Sequence, residues 1–360
     1  MERFSCETMV VSGEGALAVL GERRCRRMMV VTDPVTAGGG LVRKIVEAAG
    51  CKDTACFDAV DPEPTMYQAV EGAQRLKEFR PDLVAALGGE NVLDCAKAMV
   101  CFSKQPCTLA AVPTAFGSGT EVTDRVVLTH ERRRHLLRDG KMRPVLAVLD
   151  GSLLEGLSRG EAGEGGFTLL AVSLEAYSAR QTGIITDIHA REAFVMGWGA
   201  LPAAFAGNSR ARQRLQAASA MAGMASDRTG LGLCRAMENS LGSIFPLSRG
   251  KLAGILLPAI IGCNAHAAGR KYAELARAAG LGGSNEGIGL RNLKSGLIRL
   301  RRELGMPGTL AQAGIDPRSV WSNARRIVEL TLEDPECRNN PVTADDFMVR
   351  RILEEVTGRL

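Results

Sequence analysis

Residues 83–97, LVAALGGENVLDCAK, decide how the rest of this chain is read. Five apolar residues, Leu83 to Leu87, run straight into Gly88-Gly89, and a helical pattern begins at Asn91. A buried parallel strand, a glycine turn and a helix start together bring backbone N–H groups against a phosphate. The glycines allow close approach, and the helix N-terminus carries partial positive charge. Two glycines after a strand occur in α/β proteins of many kinds, so the stretch alone leaves the ligand open. A second glycine-rich stretch, Pro113 to Thr123, strengthens the phosphate reading.

Upstream of that stretch, MMVVTD at 28–33 reads as a first buried strand ending in Asp33, followed by a helical period at 41–49 and a short strand from Cys56 to Val60. The turn Asp61-Pro-Glu-Pro-Thr65 fixes an extended entry into an amphipathic helix, Met66 to Phe79. Downstream come a helix from Asn91 to Val100, a strand from Leu109 to Val112, a β-hairpin over 124–138 and a strand from Val145 to Leu149. Strands alternating with helices predict a parallel sheet wound in βαβ units. Asp33 then stands where an acidic residue binds the ribose hydroxyls of a dinucleotide, and its charge favours NAD over NADP. The same position also suits a helix N-cap or turn aspartate before Pro34. From Leu153 onward the pattern is helical, with segments at 163–180, 187–206, 209–226, 251–266, 284–304 and 343–358. The expected division is an α/β domain over 1–155 and a helical domain over 156–360.

At 360 residues the chain suits two domains, and 46% hydrophobic with 24% charged residues is an ordinary globular composition. The net charge of +5 comes from scattered arginines with few stacking rings among them, aromatics being 4%. That argues for a solvated basic face and against a nucleic-acid surface. Ten cysteines form no C-x-x-C pair, and several lie inside apolar runs. They read as free buried thiols in a reducing cytoplasm, with neither a disulfide frame nor a zinc ribbon. The N-terminus lacks a signal-peptide core, and the longest apolar run, Leu252 to Cys263, is too short to span a bilayer. A soluble, cytoplasmic protein is expected.

GGENVLDCAKA at 88–98, PTAFGSGTEVT at 113–123, EAY at 175–177 and LGSIFPLSRGKLAGILLP at 241–258 resemble the iron-containing alcohol dehydrogenase superfamily. VVSGEGAL at 10–17, DPEPT at 61–65, ASAMAGMA at 218–225, LGMP at 304–307 and NNPVTADDF at 339–347 extend the resemblance to both ends, and the short connection from Val100 to Pro113 is similar to that of its compact members. The resemblance implies a dehydroquinate synthase-like fold: a Rossmann-like dinucleotide-binding domain, a helical domain, and an active site in the cleft. It implies cofactor contacts at Gly88, Gly89 and Asn91 of the diphosphate loop, Asp94 on the following helix, Thr114 near the adenosine, and Gly117 and Ser118 of the second loop. Glu90 and Asn91 replace the loop's usual glycine and serine, and Ala115 replaces a second threonine. A carboxylate at Glu90 opposes a pyrophosphate unless it turns away to solvent.

The resemblance also implies one divalent ion, iron or zinc, held by an Asp and three His. With the frame fixed by EAY at 175–177 and by LGS with Arg249-Gly250, those four positions are Thr168, Val172, Arg235 and Arg249. A further His, assigned in the family to proton relay, is Asn239. Valine offers no lone pair, and arginine stays protonated and repels a dication. The four histidines, His130, His135, His189 and His266, lie outside these positions. No metal ligand is therefore assigned. Formal charge suggests that Arg235 and Arg249 keep the pocket positive, able to polarise a carbonyl or clamp an anion. Alternatively both fill the vacated volume and pair with Glu175 or Glu238.

Three functions are compatible with this pattern. One is an NAD(P)-dependent alcohol–aldehyde oxidoreductase without tightly held metal. Another is a silent relative that binds nucleotide or a partner, as a homodimer or beside an active paralogue. The third is a metal-free reductase of a small anionic carbonyl substrate that uses the two arginines.

Overall fold

A computed structural model describes residues 2–358. Its first half contains the strands β1 (Met9–Ser12), β2 (Arg27–Val31), β3 (Asp53–Phe57), β4 (Leu83–Gly88), β5 (Thr108–Pro113), the hairpin β6 (Arg125–His130) and β7 (Arg133–Arg138), and β8 (Leu146–Leu149). Between them run α1 (Val19–Glu22), α2 (Pro34–Gly38), α3 (Leu41–Ala49), α4 (Met66–Phe79) and α5 (Glu90–Ser103). The second half is helical: α6 (Arg159–Ser178), α7 (Ile184–Phe205), α8 (Ser209–Thr229), α9 (Leu233–Ile244), α10 (Arg249–Cys263), α11 (Ala265–Ala278), α12 (Glu286–Glu303), α13 (Pro317–Ser322), α14 (Ala324–Glu333) and α15 (Asp346–Thr357). Six strands form one parallel sheet in the order β1-β8-β5-β4-β2-β3. This is the Rossmann-like α/β arrangement followed by an all-helical region.

Every residue of β4 is buried, as the unbroken apolar run requires of a central parallel strand covered on both faces. α5 beside it is buried on most of its circumference, including Asp94 and Lys97. These two polar groups are satisfied by the second glycine-rich loop. The Lys97 ammonium donates to the Thr120 carbonyl at 3.0 Å and the Thr120 hydroxyl at 2.8 Å, and the Thr120 hydroxyl donates to Asp94 at 2.7 Å. The Asp94 carboxylate also accepts from the Val127 N–H at 2.9 Å. α5 thereby holds both the loop and the hairpin after it. The α4 start is fixed by a Thr65/Gln68 capping box and the α6 start by a Ser158/Glu161 one.

The same loop lies backbone to backbone on the helical half. A Cβ added at Gly223 of α8 would collide with the Gly119 carbonyl, and one at Gly117 would meet the Gly165 carbonyl of α6. Gly119 also has φ +70°, a left-handed conformation that glycine adopts freely. The close approach of loop and helices sets the shape of the cleft.

Several expectations need correction. The strand at 28–33 is preceded by β1, a four-residue edge strand with no fully buried position, too short to show periodicity. The strand expected at Cys56 to Val60 is β3, three residues earlier in the chain, because its pairing with β2 sets Arg27 opposite Asp53. The segment 251–266 divides at Asn264, where α10 and α11 meet at a 118° bend. Helices α9, α13 and α14 and most of α11 lie outside the segments expected to be helical, although α9, α11 and α14 are amphipathic. Not all cysteines are buried: Cys6 and Cys56 are exposed, and Cys25 and Cys51 lie side by side with their Cα atoms 5.8 Å apart. The β2–β3 register places positions 25 and 51 opposite each other, a contact that spacing in sequence does not reveal. Among the described residues no single helix is long and apolar enough to cross a membrane.

Gly223→Ala should lower stability by about 1–3 kcal/mol through overpacking, whereas Gly140→Ala, where an added Cβ meets nothing within 4 Å, should be nearly neutral; thermal and urea unfolding compare them. Burial raises the Glu121 carboxyl from an ordinary 4.5 to about 7. Between those values the folded state holds a proton that the unfolded chain lacks, so stability falls as pH rises from about 4.5 through 7. Glu121→Gln should flatten that slope by up to about 1.4 kcal/mol per pH unit, read from unfolding midpoints across pH; an unchanged slope would disprove the assignment.

Candidate functional site

The first glycine loop joins β4 to α5. Gly88 closes β4, and its carbonyl accepts the Thr114 N–H at 3.0 Å. A Cβ there would press on Val92 at 2.6 Å, so the close helix–strand packing demands glycine. Gly89 caps α5 without any side-chain cap, and the space around its missing Cβ is open. The first turn of α5 thus has no side-chain cap for its N–H groups. In the second loop, Gly117 donates its N–H to Ser219 at 2.7 Å, and the Ser118 hydroxyl accepts from Thr120 N–H at 3.4 Å.

Other predicted cofactor residues are occupied within the protein. The Asn91 amide donates to the Pro62 carbonyl, tying α5 to the Pro-rich turn. Asp94 is consumed by Thr120 and Val127, so it shapes the loop from beneath. Asp33 caps α2, its carboxylate accepting from Val35 N–H, Thr36 N–H and the Thr36 hydroxyl at 3.0, 2.9 and 2.7 Å. Of the two roles the sequence allowed, the N-cap is the one seen in the structure.

The helical half supplies the opposite wall. Thr168 and Val172 lie one turn apart on α6, and the Thr168 hydroxyl donates to the Glu164 carbonyl at 3.1 Å. Arg235 and Asn239 are one turn apart on α9, both buried, and Arg249 is the first residue of α10. Asn239 donates to Asp334 at 2.9 Å, while its side-chain oxygen is buried without a hydrogen-bond partner. The Arg235 Nε lies 3.5 Å from Glu238, as anticipated, but Glu175 accepts only backbone N–H groups of α9, from Cys234 at 2.7 Å and Arg235 at 3.2 Å.

Arg249 does not pair with Glu175 or Glu238. Its guanidinium bonds Glu90, the carboxylate that interrupts the diphosphate loop, and the Arg235 Nη1 stands 3.6 Å from the same Glu90 oxygen. Glu90 therefore turns into the cleft and not out to solvent. Burial alone would raise its pKa, but Arg249 and then Arg235 pull it below the ordinary range, so it is ionised. Burial likewise raises Glu238, against the pull of Arg235.

Asp94, Ser118, Arg235, Asn239 and Arg249 line one small cavity together with Glu90. Asp33 and the glycines are not among its lining residues. The cavity measures about 30 Å³, space for a water and far below that of a substrate site. Arg125 and Glu336, ion-paired at 2.9 Å, also line it and were not anticipated. The alternation of the hairpin stretch DRVVLT, with Arg125 on the same face as Val127, was the one signal that could have pointed to Arg125. Asn239 and Leu136 separate this cavity from a larger one of about 190 Å³ between β7 and α14. Among the described residues no group of three or more His, Cys, Asp and Glu is arranged to hold a metal ion.

Comparison with known proteins agrees with this architecture. The description "iron-containing alcohol dehydrogenase" matches residues 7–151, and "Fe-containing alcohol dehydrogenase family, C-terminal" matches residues 164–357. The chain is 31% identical to the 1-propanol dehydrogenase PduQ of Citrobacter freundii, with 99% of this chain and 100% of that one covered. It is 26% identical to the NADPH-dependent butanol dehydrogenase of Clostridium saccharobutylicum, covering 98% and 97%. The structure of the iron-containing alcohol dehydrogenase from Thermococcus thioreducens superposes with a TM-score of 0.90 at 25% identity, over 98% of this chain and 99% of that one. Matched in both halves and along its whole length, this chain belongs to the iron-containing alcohol dehydrogenase family.

Proposed function

We propose that this chain is a nicotinamide-dependent oxidoreductase of the alcohol–aldehyde type that works without the family's divalent ion. The observation that carries the reading is the ion cluster in the cleft: Arg235 and Arg249, at two of the four positions in ligand register, are engaged with Glu90. The donor set does not fit a dication. Val172 has no donor atom, the Thr168 hydroxyl already donates to the backbone of its own helix, and two protonated guanidiniums repel a cation. No step is therefore assigned to a metal.

The loop suits a dinucleotide with one change: the Glu90 charge, which would oppose a diphosphate, is drawn onto Arg249 and Arg235. Gly88, Gly89 and the uncapped first turn of α5 would receive the diphosphate, with Thr114, Gly117 and Ser118 along the second loop. Asp33, charged and at the carboxyl end of β2, disfavours a 2′-phosphate, so NAD is the preferred form. We assign nucleotide binding to residues 1–155 and substrate binding to 156–360. A bound nicotinamide supplies the hydride. What this chain adds is a fixed positive charge: guanidinium N–H groups can hold the oxygen of a carbonyl or alkoxide, in the manner of an oxyanion hole. Losing the ion's Lewis acidity forfeits several kcal/mol of stabilisation, so turnover should fall orders of magnitude below that of a metal-assisted reaction.

A second reading, a silent nucleotide-binding relative, is favoured by one specific feature. The Glu90 carboxylate fills the space between the arginines and leaves only the small cavity described above. That reading includes assembly with an active paralogue.

Metal analysis after incubation with excess Fe²⁺ or Zn²⁺ should find far less than one ion per chain, while NADH binds saturably by fluorescence titration. Slow NADH oxidation with short aldehydes, lost at least 100-fold in Arg235→Ala, supports the oxidoreductase; binding without turnover supports the silent relative. One tightly held ion per chain would overturn both.

A further inference from the structure

We propose that Arg235 and Arg249 form a binding site for a small carboxylate monoanion, and that Glu90 is the chain's own occupant of that site, displaced when such a ligand arrives. The inference rests on the reading that the two arginines have taken the ion's place, and it names the class of molecule they recognise.

The geometry shows a site that its present occupant only half satisfies. One oxygen, the Glu90 Oε1, serves both guanidiniums: it bonds Arg249 and lies 3.6 Å from the Arg235 Nη1. That second distance is within ion-pairing range but too long for a hydrogen bond. The Arg235 Nη1 is accordingly buried with no hydrogen-bond partner, on a side chain only 6% exposed. A buried guanidinium N–H left unmatched is costly. Glu90 is tethered at the first residue of α5, and in the position it holds there its Oε1 alone faces both arginines. A free carboxylate carries no such tether and can bridge the two Nη1 atoms with separate oxygens, the arrangement guanidinium groups favour.

Charge gives the sign and the valence. The cavity is lined by three arginines, Arg125, Arg235 and Arg249, and three acids, Glu90, Asp94 and Glu336. Arg125 is matched by Glu336 at 2.9 Å, and Asp94 lies 3.7 Å from the buried Lys97. Behind the wall, Glu238 faces the Arg235 Nε at 3.5 Å. With Glu90 withdrawn, the lining carries one net positive charge, which a monoanion neutralises. Glu90 is half-buried, with 20% of its side chain exposed, so it has a way out to water. Its departure enlarges the cavity by the volume of a carboxylate.

The experiment uses the full-length protein with acetate as the probe and sodium chloride at matched ionic strength as the control. In Glu90→Ala, acetate should raise the melting temperature saturably and bind at least tenfold more tightly than to the unaltered protein by calorimetry. Glu90→Ala combined with Arg249→Gln should lose that gain at least tenfold. If Glu90→Ala does not fold, as judged by circular dichroism, Glu90→Gln should show the gain, because it removes the competing charge and keeps the volume. Equal acetate affinity with and without Glu90, or a gain that chloride reproduces or that survives Arg249→Gln, overturns the proposal. None of these measurements needs metal, nucleotide or turnover. Its failure is therefore read separately from failure of the oxidoreductase assignment, which metal content and NADH oxidation decide.

Discussion

The bond between Glu90 and Arg249, with Arg235 behind it, joins the two halves of the molecule at the point where their chemistry would meet. Glu90 begins the helix after the diphosphate loop, and the arginines begin or line helices of the other half. Such a cluster contributes modestly to stability, since desolvating each ion offsets much of the attraction. Its consequence is geometric. Two guanidiniums side by side on one wall of a cleft repel unless an anion lies against both, and one carboxylate from the opposite wall satisfies that condition. The acid in the loop and the two cations in the helical half are thus one feature seen from two sides.

That pairing works only because the walls are rigid. α5 is anchored from within by Asp94 and Lys97 on the Thr120 turn, and the turn presses its glycine backbone against α8. Glycine at 119 and 223 lets the segments touch without side chains between them, which leaves little play in the position of Glu90. Packing tolerances in a close-packed interior are a fraction of a methyl group. The glycine loop is therefore held as a rigid frame, with Glu90 and Asn91 at the helix start that follows it.

The cleft carries the family's architecture with a different charge arrangement. Its wall presents two guanidinium groups, Arg235 and Arg249, which do not lose their protons. Their usefulness depends on what stands beside them. Ionised Glu90 cancels part of the field, and the buried Asn239 oxygen without a partner marks the wall between the small cavity and the larger one beyond it. The local field is a property of the whole constellation, with Glu238 holding the charge of Arg235 from behind the wall and Glu336 that of Arg125 within the lining.

Much of this was legible in the residues themselves. The run Leu83 to Gly89, the capping sequence before Met66 and the alternation of strand and helix fix the α/β half, because buried parallel strands need unbroken apolar runs and helices need caps. The motifs point to the family, and in the register that the resemblance implies Thr168, Val172, Arg235 and Arg249 are a poor donor set, because donor chemistry is a property of the side chain alone. Direction was not legible. Sequence left Glu90 facing either phosphate or solvent, Asp33 either ribose or its own helix, and Arg249 paired with Glu175 or Glu238. It also missed the register that sets Cys25 against Cys51. Each of these turns on which groups share a space after distant segments pack, and only the tertiary structure decides that.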